Sequence, residues 1–136
     1  MRSGEQRASV SRIVLDASAI LAVLGQEPGS AMILSHLGNT VVGTVNLAEV
    51  HGKLMSRGVP EKDAWEGARS LAAEVVDFDP EQARLVGTLV SQTQALGLSL
   101  GDRACLALGM VLKAPVYTAD QAWKSLKLGV KIHVVR

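Results

Sequence analysis

Residues 13–21 read IVLDASAIL, and the division of this stretch decides the fold. Three aliphatic residues, Ile13 to Leu15, run straight into an acid, Asp16, and an apolar run of helical character follows without a spacer. A short buried strand that passes at once into a helix is the opening unit of a layered α/β protein. The carboxylate at the junction has two readings. It is either a helix cap or a chemical group at the rim of a sheet, and the rest of the chain has to decide.

Further β-rich stretches occur at TVVG (40–43), EVVDF (74–78), PVYT (115–118) and KIHVV (131–135), with the first strand at RIVL (12–15). Helical patterns fill the intervals at 17–24, 28–37, 45–57, 60–72, 80–95, 99–112 and 120–126. Pro60 suits a first helical turn, Asp79 before Pro80 a helix start, and Gly58 a helix end. Strands alternating with helices imply a mainly parallel sheet covered on both faces, and continuous apolar strands fit burial on both sides. The expected fold is therefore α/β, a single three-layer domain over residues 12–136 with five strands. Residues 1–11, MRSGEQRASVS, are expected to form a flexible polar arm.

Composition agrees. Apolar residues make up 48% of the 136 and charged residues 20%, which suits one globular domain with a proper core. Aromatics are only 3%, so the core must be aliphatic. A net charge of +1 gives no basic face for nucleic acid, and any such function must rest on a local site. The N-terminus has no apolar signal segment, and no apolar run reaches the ~18 residues of a membrane span. The lone Cys105 lies in an apolar helical run and reads as a buried structural thiol, in keeping with a reducing cytoplasm.

Nine of the thirteen acids have ordinary explanations in the arm, in turns or in first helical turns. Four stand among apolar or small neighbours: Asp16 in VLDAS, Glu49 in TVNLAEV, Asp102 in LSLGDRACLALG and Asp120 in VYTADQAW. Each alone reads as a cap, and the Asn46–Glu49 and Ser99–Asp102 spacings both resemble capping boxes. Together they read differently. In a parallel sheet, strand ends and the starts of the following helices share one edge, where open α/β sheets bind ligands. Carboxylates gathered there repel each other and need protons or cations. An all-oxygen donor set points to a hard ion, Mg²⁺ or Mn²⁺.

With those residues in place, the chain resembles the PIN-domain ribonucleases, and among them the VapC-type toxins of toxin–antitoxin pairs, over about residues 12–135. Asp16 and Ser18 match the opening Asp-x-Ser, Glu49 the helix-borne Glu, Asp102 the third acid, and Thr118 and Asp120 the closing Thr-x-Asp. The resemblance implies a five-stranded, mainly parallel sheet between helices, metal-dependent cleavage of RNA, a small antitoxin partner and a homodimer. On that reading Asp16, Glu49, Asp102 and Asp120 are the catalytic and metal-holding residues, with Ser18 and Thr118 in support. Lys53, Arg57, Arg103 and Lys124 are the candidates for gripping the RNA backbone. Helices 45–57 and 60–72 are candidates for the dimer face and the antitoxin groove. His51 points away from Glu49 and reads as a surface or interface residue, and Trp65 and Trp123 as packing or contact residues.

Two other classes compete. A receiver-like signalling domain needs paired acids after its first strand, whereas Asp16 is single and followed by Ala17–Ser18. A degenerate PIN-like RNA- or protein-binding module needs no acids, yet all four are kept.

Overall fold

The computed structural model describes residues 12–136, so the expected arm over 1–11 lies outside the described residues. The chain runs β1 (Ile13–Leu15), α1 (Ala17–Leu24), α2 (Ser30–Leu34), β2 (Thr40–Gly43), α3 (Thr44–Ser56), α4 (Glu61–Arg69) and β3 (Glu74–Val76). It continues through α5 (Pro80–Thr93), α6 (Leu100–Leu112), β4 (Val116–Thr118) and β5 (Ile132–Val134), with 3₁₀ turns at Gln94–Leu96 and Gln121–Ser125. All strand pairings are parallel, in the order β3-β2-β1-β4-β5. The expected α/β class and strand number hold.

The order reverses at β1, which has β2 on one side and β4 on the other. α1 leaving β1 and the 3₁₀ turn leaving β4 therefore pack on opposite faces, the arrangement at which open α/β sheets bind ligands beyond the carboxyl ends of their strands.

Alternation within β1 divides the core. Ile13 and Leu15 face a cluster with Ala19, Ile20 and Ala22 of α1, Leu47 and Val50 of α3, and Ala68 of α4. Val14 faces the other side, with Val86 and Leu89 of α5 and Ala104 to Leu108 of α6. Trp123, fully buried on this second side, is a packing residue as expected, and Cys105 is a buried free thiol. No helix of the described residues is long and apolar enough to cross a membrane.

Several expected elements are shorter than their patterns. The expected helix over 28–37 is only Ser30–Leu34, because Gly29 before it adopts φ +96°. That glycine is required by space as well, since a Cβ there would stand 1.9 Å from the Val135 carbonyl oxygen. α4 stops at Arg69 rather than 72, freeing the Ala73 amide to bond the Thr40 carbonyl and enter β3. β3 stops at Val76, and the Phe78 amide turns to the Thr44 hydroxyl at 3.0 Å.

Candidate functional site

Asp16 leaves β1 and caps α1, accepting the Ala19 amide at 2.8 Å. The capping reading is correct and incomplete. Ser18 donates its hydroxyl to the same carboxylate at 2.8 Å, and Thr118, at the end of neighbouring β4, donates to the other oxygen at 2.5 Å. Each hydroxyl is itself fixed as an acceptor, Ser18 by the Ala119 amide at 2.9 Å and Thr118 by the Asp120 amide at 3.0 Å. Ser18 and Thr118 thus hold the carboxylate.

Burial decides the charge state of this group. Asp16 is only 2% exposed, and desolvation raises its pKa to about 6 despite the opposing bonds from Thr118, Ala19 and Ser18. The charge of Asp102 pushes it further in the same direction. Among the described residues no lysine or arginine pairs with Asp16.

Asp102 enters from α6. It forms a capping box with Ser99, accepting the Ser99 amide at 2.9 Å while its own amide donates to the Ser99 hydroxyl at 3.1 Å. Glu49 comes from α3, where the resemblance to a capping box fails. α3 starts directly after β2 with Gly43 as its cap, which leaves Asn46 inside the helix. Asn46 is buried and donates its amide to the Glu49 carboxylate at 2.8 Å and to the Gly101 carbonyl at 3.1 Å.

The Glu49 side chain is exposed as a whole, but its carboxyl end is sheltered against the first turn of α6. Burial raises its pKa, as does Asp102, while the Asn46 bond and Lys53 act the other way. Cys105, one turn deeper in α6, has its pKa pushed far up by burial and then by Asp16, Asp102 and Glu49. Asp102 is the acid that acts on both Asp16 and Glu49.

Asp120 is exposed and caps the final 3₁₀ turn, accepting the Ala122 amide at 3.0 Å. It touches the site through its backbone amide, which orients Thr118. Among the described residues, no three Asp, Glu, His or Cys side chains stand close enough to ligate one ion together. The donor chemistry nonetheless suits a hard cation: a desolvated carboxylate without a cationic partner among the described residues, with the charge of Asp102 acting both on it and on Glu49. Such a set fits an ion that keeps much of its water and takes one or two carboxylates, as Mg²⁺ does.

The basic candidates differ in placement. Lys53 lowers the pKa of a site acid, Glu49. Arg103 is half-buried, its Nε donating to the buried Thr93 hydroxyl at 2.8 Å. Arg57 at the end of α3 and Lys124 in the last 3₁₀ turn are exposed. His51 points away from the acids and bonds Glu61 at 2.8 Å, with its ring edge-on to the exposed Trp65. Sequence reasoning missed Asn46 and Gly101 as site residues. The available signal was a glycine in a first helical turn with no chain reversal to require it.

A buried strand-end acid between parallel neighbours, with Asp102 of α6 near enough to raise its pKa, marks the switch point of this α/β protein. The chain belongs to the PIN domain family, whose model matches residues 13–128. No curated protein matches it significantly. Among solved structures, the DNA-bound VapBC of Salmonella typhimurium superposes with TM-score 0.72 and 16% identity, over 92% of this chain and 98% of that one. VapBC2 of Rickettsia felis, bound to a DNA fragment from its promoter, gives TM-score 0.69 and 14% identity over 89% and 96%. VapBC-5 of Mycobacterium tuberculosis gives 0.61 and 19% over 93% and 98%. At these identities the likeness is one of fold.

Proposed function

We propose that this chain is a divalent-metal-dependent endoribonuclease and the toxin of a toxin–antitoxin pair. The observation that carries the reading is Asp16: a buried carboxylate with its pKa raised to about 6, no cationic partner among the described residues, and Asp102 close enough to raise it further. Burying such a group costs stability unless a cation or proton offsets it. At neutral pH a bound cation meets that need.

Asp16, Glu49 and Asp102 would hold Mg²⁺ or Mn²⁺, directly or through water, with Asp120 at the outer side reaching bound water or a second ion. When bound, such a metal lowers the pKa of a water and neutralises charge on a phosphodiester. The chain's own groups prepare for this. Ser18 and Thr118 fix the Asp16 oxygens, and Asn46 fixes Glu49. Lys53, Arg57, Arg103 and Lys124 supply cations for the RNA backbone outside the acidic site, where anions would otherwise be repelled.

The partner follows from the similar structures, whose names describe VapBC complexes. A small antitoxin would cover apolar residues that α3 and α4 turn outward, of which Met55 and Trp65 are exposed. The same face is the candidate homodimer surface. Most other apolar residues of these helices, including Leu47, Val50, Ala64 and Ala68, belong to the core.

A second reading has one specific observation behind it. The lack, among the described residues, of three acids close enough to share an ion favours a PIN-fold binding module. Incubating the full chain with transfer and ribosomal RNA in Mg²⁺, in Mn²⁺ and in EDTA separates the two. Cleavage with metal, abolished by EDTA and by Asp16→Asn, supports the nuclease. Binding without cleavage under every condition supports the module.

A further inference from the structure

Glu49 presents a physical puzzle. A glutamate on the exposed side of a helix keeps its rotamer freedom by default, and ordering it costs entropy. Here its carboxyl end is held against another helix. Both hydrogens of the buried Asn46 amide are used, one on the Glu49 carboxylate and one on the Gly101 carbonyl, so one side chain ties α3 to the first turn of α6 and aims Glu49 at it. The space for that carboxylate exists because residue 101 has no side chain. A Cβ there would lie 2.1 Å from Glu49 Oε1 and 2.3 Å from Cδ. Gly101 lies inside α6, where glycine is otherwise a poor choice. Its backbone needs no glycine, being absent from the positive-φ positions. The vacancy is therefore used for room.

We infer that Asn46 and Gly101 are positioning residues for Glu49, together holding its carboxylate over the first turn of α6 beside Asp102. The inference rests on the proposed metal-holding role of Glu49, and it assigns part of the site's geometry to two uncharged residues outside the acid set. Preorganised ligands gain affinity by avoiding the cost of ordering at the moment of binding.

Two measurements on the full chain test this. The first is Mn²⁺ affinity at neutral pH by electron paramagnetic resonance for wild type, Asn46→Ala, Gly101→Ala, Glu49→Ala and the double variant Asn46→Ala/Glu49→Ala. Asn46→Ala and Gly101→Ala are each expected to weaken binding by about 10–100-fold, the usual effect of losing a group that orients a ligand. Asn46→Ala should add nothing in the Glu49→Ala background, because it acts through Glu49. Gly101→Ala should weaken Mn²⁺ binding while leaving thermal stability close to wild type, since alanine favours the helix and offsets the displaced Asn46–Glu49 bond. That combination excludes a merely structural effect, and it stands even if Asn46→Ala fails to fold.

The second measurement is side-chain relaxation of Glu49 by NMR in the metal-free protein, with an ordered carboxyl end expected in wild type and a mobile one in Asn46→Ala and Gly101→Ala. Wild-type Mn²⁺ affinity in either variant, an equal loss with and without Glu49, or unchanged Glu49 order overturns the inference. A wild type that binds no Mn²⁺ but keeps Glu49 ordered through Asn46 overturns the metal reading instead.

Discussion

Asp16 and Asp79 hold the same local position. Each precedes a helix and accepts the amide three residues on, at 2.8 Å and 2.9 Å respectively. Asp79 is exposed, with Pro80 opening the helix behind it, and capping is all it does. Asp16 is 2% exposed, takes hydroxyl hydrogens from Ser18 and Thr118, and has its pKa lifted to about 6. The motif is shared and the surroundings are not. What separates a cap from a candidate reactive carboxylate is the strand beside it and the helix ends above it, which only the fold supplies.

The sharpest way to break this contrast is activity. Asp16→Asn and Asp102→Asn should each lower the initial rate of RNA cleavage by at least ~100-fold, comparable with losing a group that stabilises a transition state. Asp79→Asn should leave the rate unchanged. An equal loss at Asp79 would mean that the assay reads folding.

Stability should show opposite signs at the two sites. In the metal-free protein at neutral pH, Asp16→Asn should stabilise by on the order of 1–3 kcal/mol, because it removes the cost of keeping a buried carboxylate ionised. Asp79→Ala should destabilise by about 1 kcal/mol through loss of a cap. Urea denaturation measures both.

The pH dependence sharpens the same point. A carboxyl whose folded pKa lies above its unfolded value contributes stability that is present below the unfolded pKa and lost as pH rises through the folded one. Metal-free wild type should therefore lose stability from near pH 3.8 through about 6, the window set by Asp16. Asp16→Asn should flatten that slope, and Asp79→Asn should leave it in place.

The smallest change falls on the support for Asp16. Thr118→Val removes a donor to its ionised form, which should cost roughly 1.5 kcal/mol at neutral pH. It should also shift the upper end of the pH window upward, which a simple packing defect would not do.

Much of this was legible in the chain. IVLDASAIL divides where the strand and helix divide, and the alternation of Ile13, Val14 and Leu15 between two core faces follows from strand geometry. The four acids could be picked out by their apolar neighbours. Their mutual distances could not, because Asp120 sits beyond β4 and the direction of its side chain depends on the 3₁₀ turn it caps. Asn46 escaped for a related reason. Its spacing to Glu49 was visible, but its second partner, the Gly101 carbonyl, is 55 residues away along the chain, and only tertiary packing of α3 on α6 joins them. Local patterns report caps and periods. Which helix end meets which strand end is a property of the assembled sheet.

If acids remote in sequence share a divalent cation at the carboxyl rim of β1 and β4, crystals of the full chain grown with Mn²⁺ and measured at the manganese absorption edge should reveal it. An anomalous peak within bonding distance of Asp16 or Asp102, lost in Asp16→Asn crystals, is the predicted result. A peak only at surface acids such as Asp79, or none at saturating Mn²⁺, would contradict the account.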